Sequence, residues 1–209
     1  MARMVRHSTS CVKPDNGAMQ EAQATHRSRL LEGMAQAVSR KGYAETTIAD
    51  IVAAASVSRR TFYENFSSKA ECLVALYEAA SHNALKVLRE AIDPAHGWKQ
   101  QVSSALRAYL GCMASNPVLV RTLFIEILHL GTEGLASRRR VNRELADFIV
   151  EAANVPGRGH EEPVSPQLAM AIVGGINELV LEYIEQDKVA KLEELVKPAS
   201  ELVHAVLGE

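Results

Sequence analysis

Residues 42–73, GYAETTIADIVAAASVSRRTFYENFSSKAECL, decide how this chain is read. Thr47 is a good helix N-cap, and Asp50 three residues later completes a capping-box spacing. Ile48, Ile51, Val52 and Ala55 then supply the apolar face of a short helix. Ser56-Val57-Ser58 follows as a three-residue turn, with Val57 plugging the angle between two helices and Ser58 capping the next. Helix, tight turn and helix in so few residues make a helix-turn-helix.

The next helix, from Arg59 to about Phe66, holds most of the chemistry. Phe62 and Phe66 lie four apart and face a core, which leaves Arg59, Arg60, Thr61, Tyr63, Glu64 and Asn65 on the other sides. Arginine reads guanine O6 and N7 bidentately, asparagine reads adenine, and threonine or tyrosine hydroxyls meet phosphates or base edges. The candidate DNA-binding residues are Arg27, Thr47, Ser58, Arg59, Arg60, Thr61, Tyr63, Asn65 and Lys69. The alternative for Arg27 is a solvated side chain, and for Arg29 that is the favoured reading.

Gly42-Tyr43, Thr46-Thr47-Ile48, Asp50-Ile51, Ala55, Val57-Ser58, Thr61-Phe62-Tyr63, Phe66 and Ser68-Lys69 together resemble the DNA-binding domain of the TetR (tetracycline-repressor-like) family. The resemblance implies that Thr47 caps its helix and meets a phosphate. It also implies that Arg59, Arg60, Thr61, Tyr63, Asn65 and Lys69 line the DNA face. The chain departs from the family pattern at Ser56, where glycine is common, and at Val52, Asn65 and Ala70. A left-handed Ser56 costs roughly 1–2 kcal/mol, so a slightly remodelled turn is expected.

Upstream, residues 1–24 are polar, carry Pro14 and Gly17, and read as a disordered arm. A first helix is expected from Thr25 to Lys41, stopped by Gly42, with Leu30, Leu31, Met34, Ala37 and Val38 buried. The helix-turn-helix domain thus spans 25–72, and 73–209 forms an effector-binding and dimerisation body.

Downstream the pattern is helical throughout, giving an all-α fold of about nine helices. The expected helices span 68–92, 98–114, 118–130, 133–154, 166–186 and 188–207, with 155–166 as a loop. The first is a connector between the two units, and in the TetR-like family it transmits ligand occupancy. The Arg138-Arg139-Arg140 run with Arg143 reads as a solvated face.

The last two helices carry apolar stripes wider than one antiparallel neighbour needs. Leu168, Ile172, Gly175, Ile176, Leu179, Tyr183, Leu195, Ala199, Leu202, Val203 and Val206 are therefore candidates for a dimer interface, with an intramolecular core as the alternative. Gly174 and Gly175 each cost about 1 kcal/mol of helix propensity, sensible where backbones approach closely. A homodimer suits a palindromic operator, because one recognition helix reads only a few base pairs.

Trp98, Tyr109, Met113, Phe124, His129, Phe148, Asn177 and Glu178 are candidates to line an effector cavity, although each side chain is individually more ordinary as core. Glu178 calls for a cationic partner, from a ligand or a second subunit. A cavity of several hundred Å³ is expected of a ligand-gated regulator, and a solid core of a DNA-binding protein without an effector.

The bulk numbers fit. A net charge of -2 confines any DNA contact to a local basic face. Cys11, Cys72 and Cys112 have no disulfide or zinc spacing, and no metal or cofactor is expected. No catalytic motif is present, so an enzyme is not expected. No run of about 18 apolar residues or signal core appears, so a cytoplasmic protein without a membrane span is expected. The resemblance makes repression, relieved by an unknown small molecule, the default.

Overall fold

A computed structural model describes residues 16–155 and 163–207. Among them are nine α-helices: α1 Asn16–Glu45, α2 Ile48–Ala55, α3 Arg59–Asn65, α4 Lys69–Glu90, α5 Trp98–Ala114, α6 Pro117–Ile125, α7 Thr132–Ala153, α8 Pro166–Glu185 and α9 Val196–Leu207. Two 3-10 segments, Glu126–Leu130 and Val189–Leu195, precede α7 and α9.

The first helix starts earlier than expected. It is already helical at Asn16, so Thr25 lies inside it and only part of the expected arm falls outside the described residues. Ala18, Met19, Gln20, Glu21, Ala22 and Gln23 are good helix formers, which outweigh the single Gly17. The helix breaks at Gly42, whose φ of 78° and ψ of 166° suit a residue without Cβ.

α1 packs on α2 closely enough that a Cβ on Gly33 would sit 2.6 Å from the Ile51 carbonyl oxygen. Leu30, Met34, Ile51, Phe62, Phe66 and Leu73 close the core of the three-helix unit, each almost wholly buried. That core does not stop at residue 72. Leu76 and Tyr77 of α4, Leu123 of α6, Ile127 of the 3-10 segment and Val141 of α7 belong to it as well.

The body holds two further apolar clusters, one between α4, α5 and the 3-10 segment 189–195, the other between α5, α7, α8 and α9. α5 and α6 meet at 94°, across Asn116, which caps α6, and Pro117, which starts it. α4 ends at Glu90, short of the stop expected at Asp93-Pro94. The helix expected over 118–130 gives way to 3-10 geometry after Ile125.

The continuous helix expected over 188–207 is also broken. Lys191 has φ -111° and ψ 17°, and α9 begins only at Val196. Pro198 lacks an N–H and its ring clashes with the carbonyl four residues back, so it is tolerated only in a first turn.

α8 is long and apolar enough to cross a membrane by length and composition, although Asn177, Glu178 and Glu182 interrupt its apolar run. Protein takes up much of that apolar surface: Ala169, Ile172, Val173, Val180 and Ile184 are buried against neighbouring helices. Glu178 and Glu182 keep to its outer side.

Candidate DNA-binding face and effector cavity

The face begins with how α2 and α3 are started. Thr47 accepts from the Asp50 N–H, and Asp50 accepts from the Thr47 N–H at 2.8 Å and from the Thr47 hydroxyl at 2.5 Å. Lys41 closes on the same carboxylate at 2.7 Å. The Lys41 ammonium first, then the Thr47 donors, hold the Asp50 carboxyl well below the usual carboxylate range.

The turn keeps the left-handed geometry instead of remodelling. Ser56 sits at φ 52° and ψ 47°, and Arg29 donates to its carbonyl oxygen at 2.9 Å. Arg29, read from the sequence as solvated, is thus a clasp on the turn; nothing in its local spacing announces this.

Ser58 caps α3 by accepting from the Thr61 N–H, and its hydroxyl lies 2.8 Å from that of Thr61. Phe62 and Phe66 turn inward with ring centroids 5.8 Å apart. This leaves Arg59, Arg60 and Tyr63 outward, Tyr63 at 59% exposure. Among the described residues Arg59 makes no ion pair. Arg60 pairs only with Glu64, at 2.9 Å, one helical turn on and exposed. Such a pair is worth little in water and yields readily to a phosphate or base.

Four other predicted contacts are engaged within the protein. Arg27 stacks 4.4 Å from the Phe66 ring centre and donates to the Asn65 carbonyl oxygen at 3.2 Å. Asn65 turns its amide back to the Thr61 carbonyl at 2.8 Å. The Thr47 hydroxyl is committed to Asp50. Lys69 donates to the carbonyls of Tyr43 and Thr46, each at 2.8 Å, and lies 4.1 Å over the Tyr43 ring. A cation there satisfies carbonyls at the end of α1, so Lys69 is in this structure a positioning residue rather than a free one.

Two chambers adjoin in the body. One, of about 80 Å³, is lined by predicted residues Trp98, Tyr109, Phe148 and Asn177 together with aliphatic side chains. The other, of about 140 Å³, is lined by Tyr109, Met113, Phe124 and Asn177 and by α4 residues including Tyr77 and Ser81. Tyr109, Leu145 and Asn177 border both. Neither chamber reaches several hundred Å³, and the core is not solid either.

Two predicted cavity residues are elsewhere. His129 is exposed on the 3-10 segment, its ring 2.9 Å from Glu126. Helix α6 ends before it, which removes it from the inward stripe. Glu178 is exposed because it follows Asn177 by one residue, about 100° round the helix from the buried side.

Arg138 is the residue the sequence reading missed. It is half-buried and lines the larger chamber, whereas Arg140 pairs with Glu78 and Arg139 and Arg143 are exposed. The signal was available: Arg138 precedes Val141, Leu145 and Phe148 at helical spacing. Its guanidinium favours ionisation of the Tyr77 phenol, but burial dominates and pushes that phenol up to about 12.

Of the expected interface residues, Ile172, Ile176, Leu195, Ala199 and Val203 are buried within a single chain. α8 and α9 spend the inner half of their stripes on α5 and α7. Leu168, Gly175, Leu179, Tyr183, Leu202 and Val206 keep exposed surface. Gly175 faces Leu202, 2.8 Å from where a Cβ would stand, while Gly174 faces open space.

Residues 30–76 match the family model of bacterial regulatory proteins, tetR family. The chain is 37% identical over 76 residues to the HTH-type transcriptional regulator TtgR of Pseudomonas putida, covering 35% of this chain and 36% of that protein. The same figures hold for the probable HTH-type transcriptional regulator ArpR of the same species. The chain thus aligns with about a third of the length of the curated relatives it matches.

Similarity in three dimensions extends further. The fatty acid degradation regulator FadR from Bacillus halodurans superposes with a TM-score of 0.72 at 19% identity, covering 87% of this chain and 94% of that one. FadR from Bacillus subtilis, solved with stearoyl-CoA, gives 0.72 at 17% identity, covering 86% and 97%. At these identities the likeness establishes the fold.

Proposed function

Through residues 30–76 the chain belongs to the tetR family of bacterial regulatory proteins, and on that premise we propose that it is a homodimeric repressor released from a palindromic operator by a small molecule. The observation that carries this reading is α3. A seven-residue helix presents Arg59, Arg60 and Tyr63 outward while caps and clasps commit the groups around them. The backbone that carries these donors is held in place by the caps, while the exposed side chains themselves are ordered only on meeting base edges and phosphates.

The helix is short, so specificity requires a second copy about one DNA turn, roughly 34 Å, or a multiple away. The remaining exposed face of α8 and α9, with Leu168, Leu179, Leu202 and Val206, supports pairing there. Thr47, Arg27, Asn65 and Lys69 serve in this reading as supports whose side chains reach phosphate only by exchanging a present partner.

Release follows from shared packing. Tyr77 of α4 and Leu123 of α6 border the larger chamber and also belong to the core under α1. A molecule entering the chamber displaces what the DNA-binding unit rests on, and a coupling of about 1–3 kcal/mol is enough to separate two half-sites. FadR from Bacillus subtilis, of the same fold, was solved with stearoyl-CoA, which supports a body that admits an organic effector.

Selection of bound sequences from a random DNA pool tests the reading. It should enrich inverted repeats with half-sites about a helical turn apart. Enrichment of unrelated single sites would remove the dimeric operator, and no enrichment would remove the regulator.

A further inference from the structure

The two chambers are strongly unequal in polarity. The smaller is walled by Leu88, Leu106, Phe148, Ile172 and other apolar side chains, with Asn177 at its border. The larger mixes apolar side chains with polar ones, among them the exposed Asn83 and Asn116, the half-buried Arg138 and Asn142, and the buried Asn177. Neither chamber is lined by any aspartate or glutamate. Among the described residues Arg138 makes no ion pair or hydrogen bond, while Glu78 is held by Arg140 and Ser137.

An arginine half-buried on the wall of a chamber that holds no carboxylate is free to pair with an anion, and the absence of acidic lining gives a cation nothing to pair with. We propose that the effector is an amphiphile, its apolar chain lying between α5, α7 and α8 and its anionic head group held by Arg138. This rests on the effector-responsive reading above but specifies the chemistry. Asn142 and Asn177, joined at 3.2 Å, stand with Arg138 on the lining of the larger chamber and offer amide groups to a head group's remaining oxygens.

The protein carries its own reporter. Trp98 is the only tryptophan in the chain and lines the apolar chamber, so its emission reads occupancy without DNA. The full chain is titrated with dodecanoate, dodecyl phosphate and dodecanol, each below its aggregation limit. Both anions should shift Trp98 emission and bind about tenfold to a hundredfold more tightly than the alcohol, the range expected for a charged hydrogen-bonded pair.

Arg138→Gln should abolish that preference. Arg138→Lys should keep part of it, and Arg139→Gln, at an exposed neighbour, should leave it intact. Circular dichroism melts establish that the variants fold. Dodecanol binding as tightly as the anions, a preference surviving in Arg138→Gln, or no Trp98 response to any of the three overturns the proposal. Preference for dodecanoate over dodecyl phosphate identifies a carboxylate head, and the reverse a phosphate; either upholds the proposal. Anion binding without DNA release upholds this site and counts instead against ligand-gated repression.

Discussion

The DNA-binding unit and the body treat polar groups in opposite ways. Around α2 and α3 short-range pairs commit the capping side chains, Thr47 with Asp50, Ser58 with Thr61 and Ser67 with Glu71, and longer reaches commit Arg27, Arg29 and Lys69. In the body the polar groups near the chambers are few, and one of them, Arg138, stands without a carboxylate. The first arrangement makes a rigid reader with a few outward groups. The second leaves space and an unmatched charge, the features on which the proposed effector site rests.

If rigidity of the reader is the point, its core must be the most sensitive part. Phe62→Ala empties a fully buried ring position and should cost about 3–5 kcal/mol. Thermal melts and loss of DNA binding check this, and a wild-type melting temperature would show the unit to be more plastic than its packing implies.

The outer face of α8 and α9 comes next. Leu168→Glu combined with Leu202→Glu, both partly exposed, should give folded monomers by light scattering. A surviving dimer places the interface elsewhere. Arg60→Ala and Tyr63→Ala should each weaken operator binding by about 1–3 kcal/mol while the oligomeric state is kept. Unchanged affinity in a shift assay at fixed salt would deny α3 its reading role.

Smaller effects probe the caps. Ser56→Gly relieves a left-handed residue and should stabilise by at most about 1 kcal/mol, because glycine also loosens the unfolded chain. Chemical denaturation measures the difference. Asp50 gives a pH signature: its carboxyl is held well below the ordinary range. Its contribution is therefore fully present above the unfolded-state value near 3.9 and drains away only as pH falls below it toward the folded value. The stability gap between wild type and Asp50→Asn should be level from pH 7 to about 5 and close at lower pH. A gap that closes at neutral pH would mean the pairing with Lys41 and Thr47 does not form in solution.

Residue by residue, the reader was legible and the body only partly so. The capping of α2 by Thr47 and Asp50, the cap at Ser58 and the inward Phe62 and Phe66 stand where spacing put them. Lys69 and Arg29 were not legible, since their partners lie 23 to 27 residues away in sequence. Arg138 was hidden by its neighbours: a run of arginines looks solvated until the helix is rotated against a partner.

Local chemistry, then, was enough for the helix-turn-helix, because caps, turns and a three-to-four-residue period are satisfied within a few residues of themselves. Which half of a broad apolar stripe stays outside, as between Ile172 and Leu168, depended on where α5 and α7 came to lie. So did the company Arg138 keeps, since a side chain's partner across the body follows from the packing of whole helices and not from its own stretch of chain.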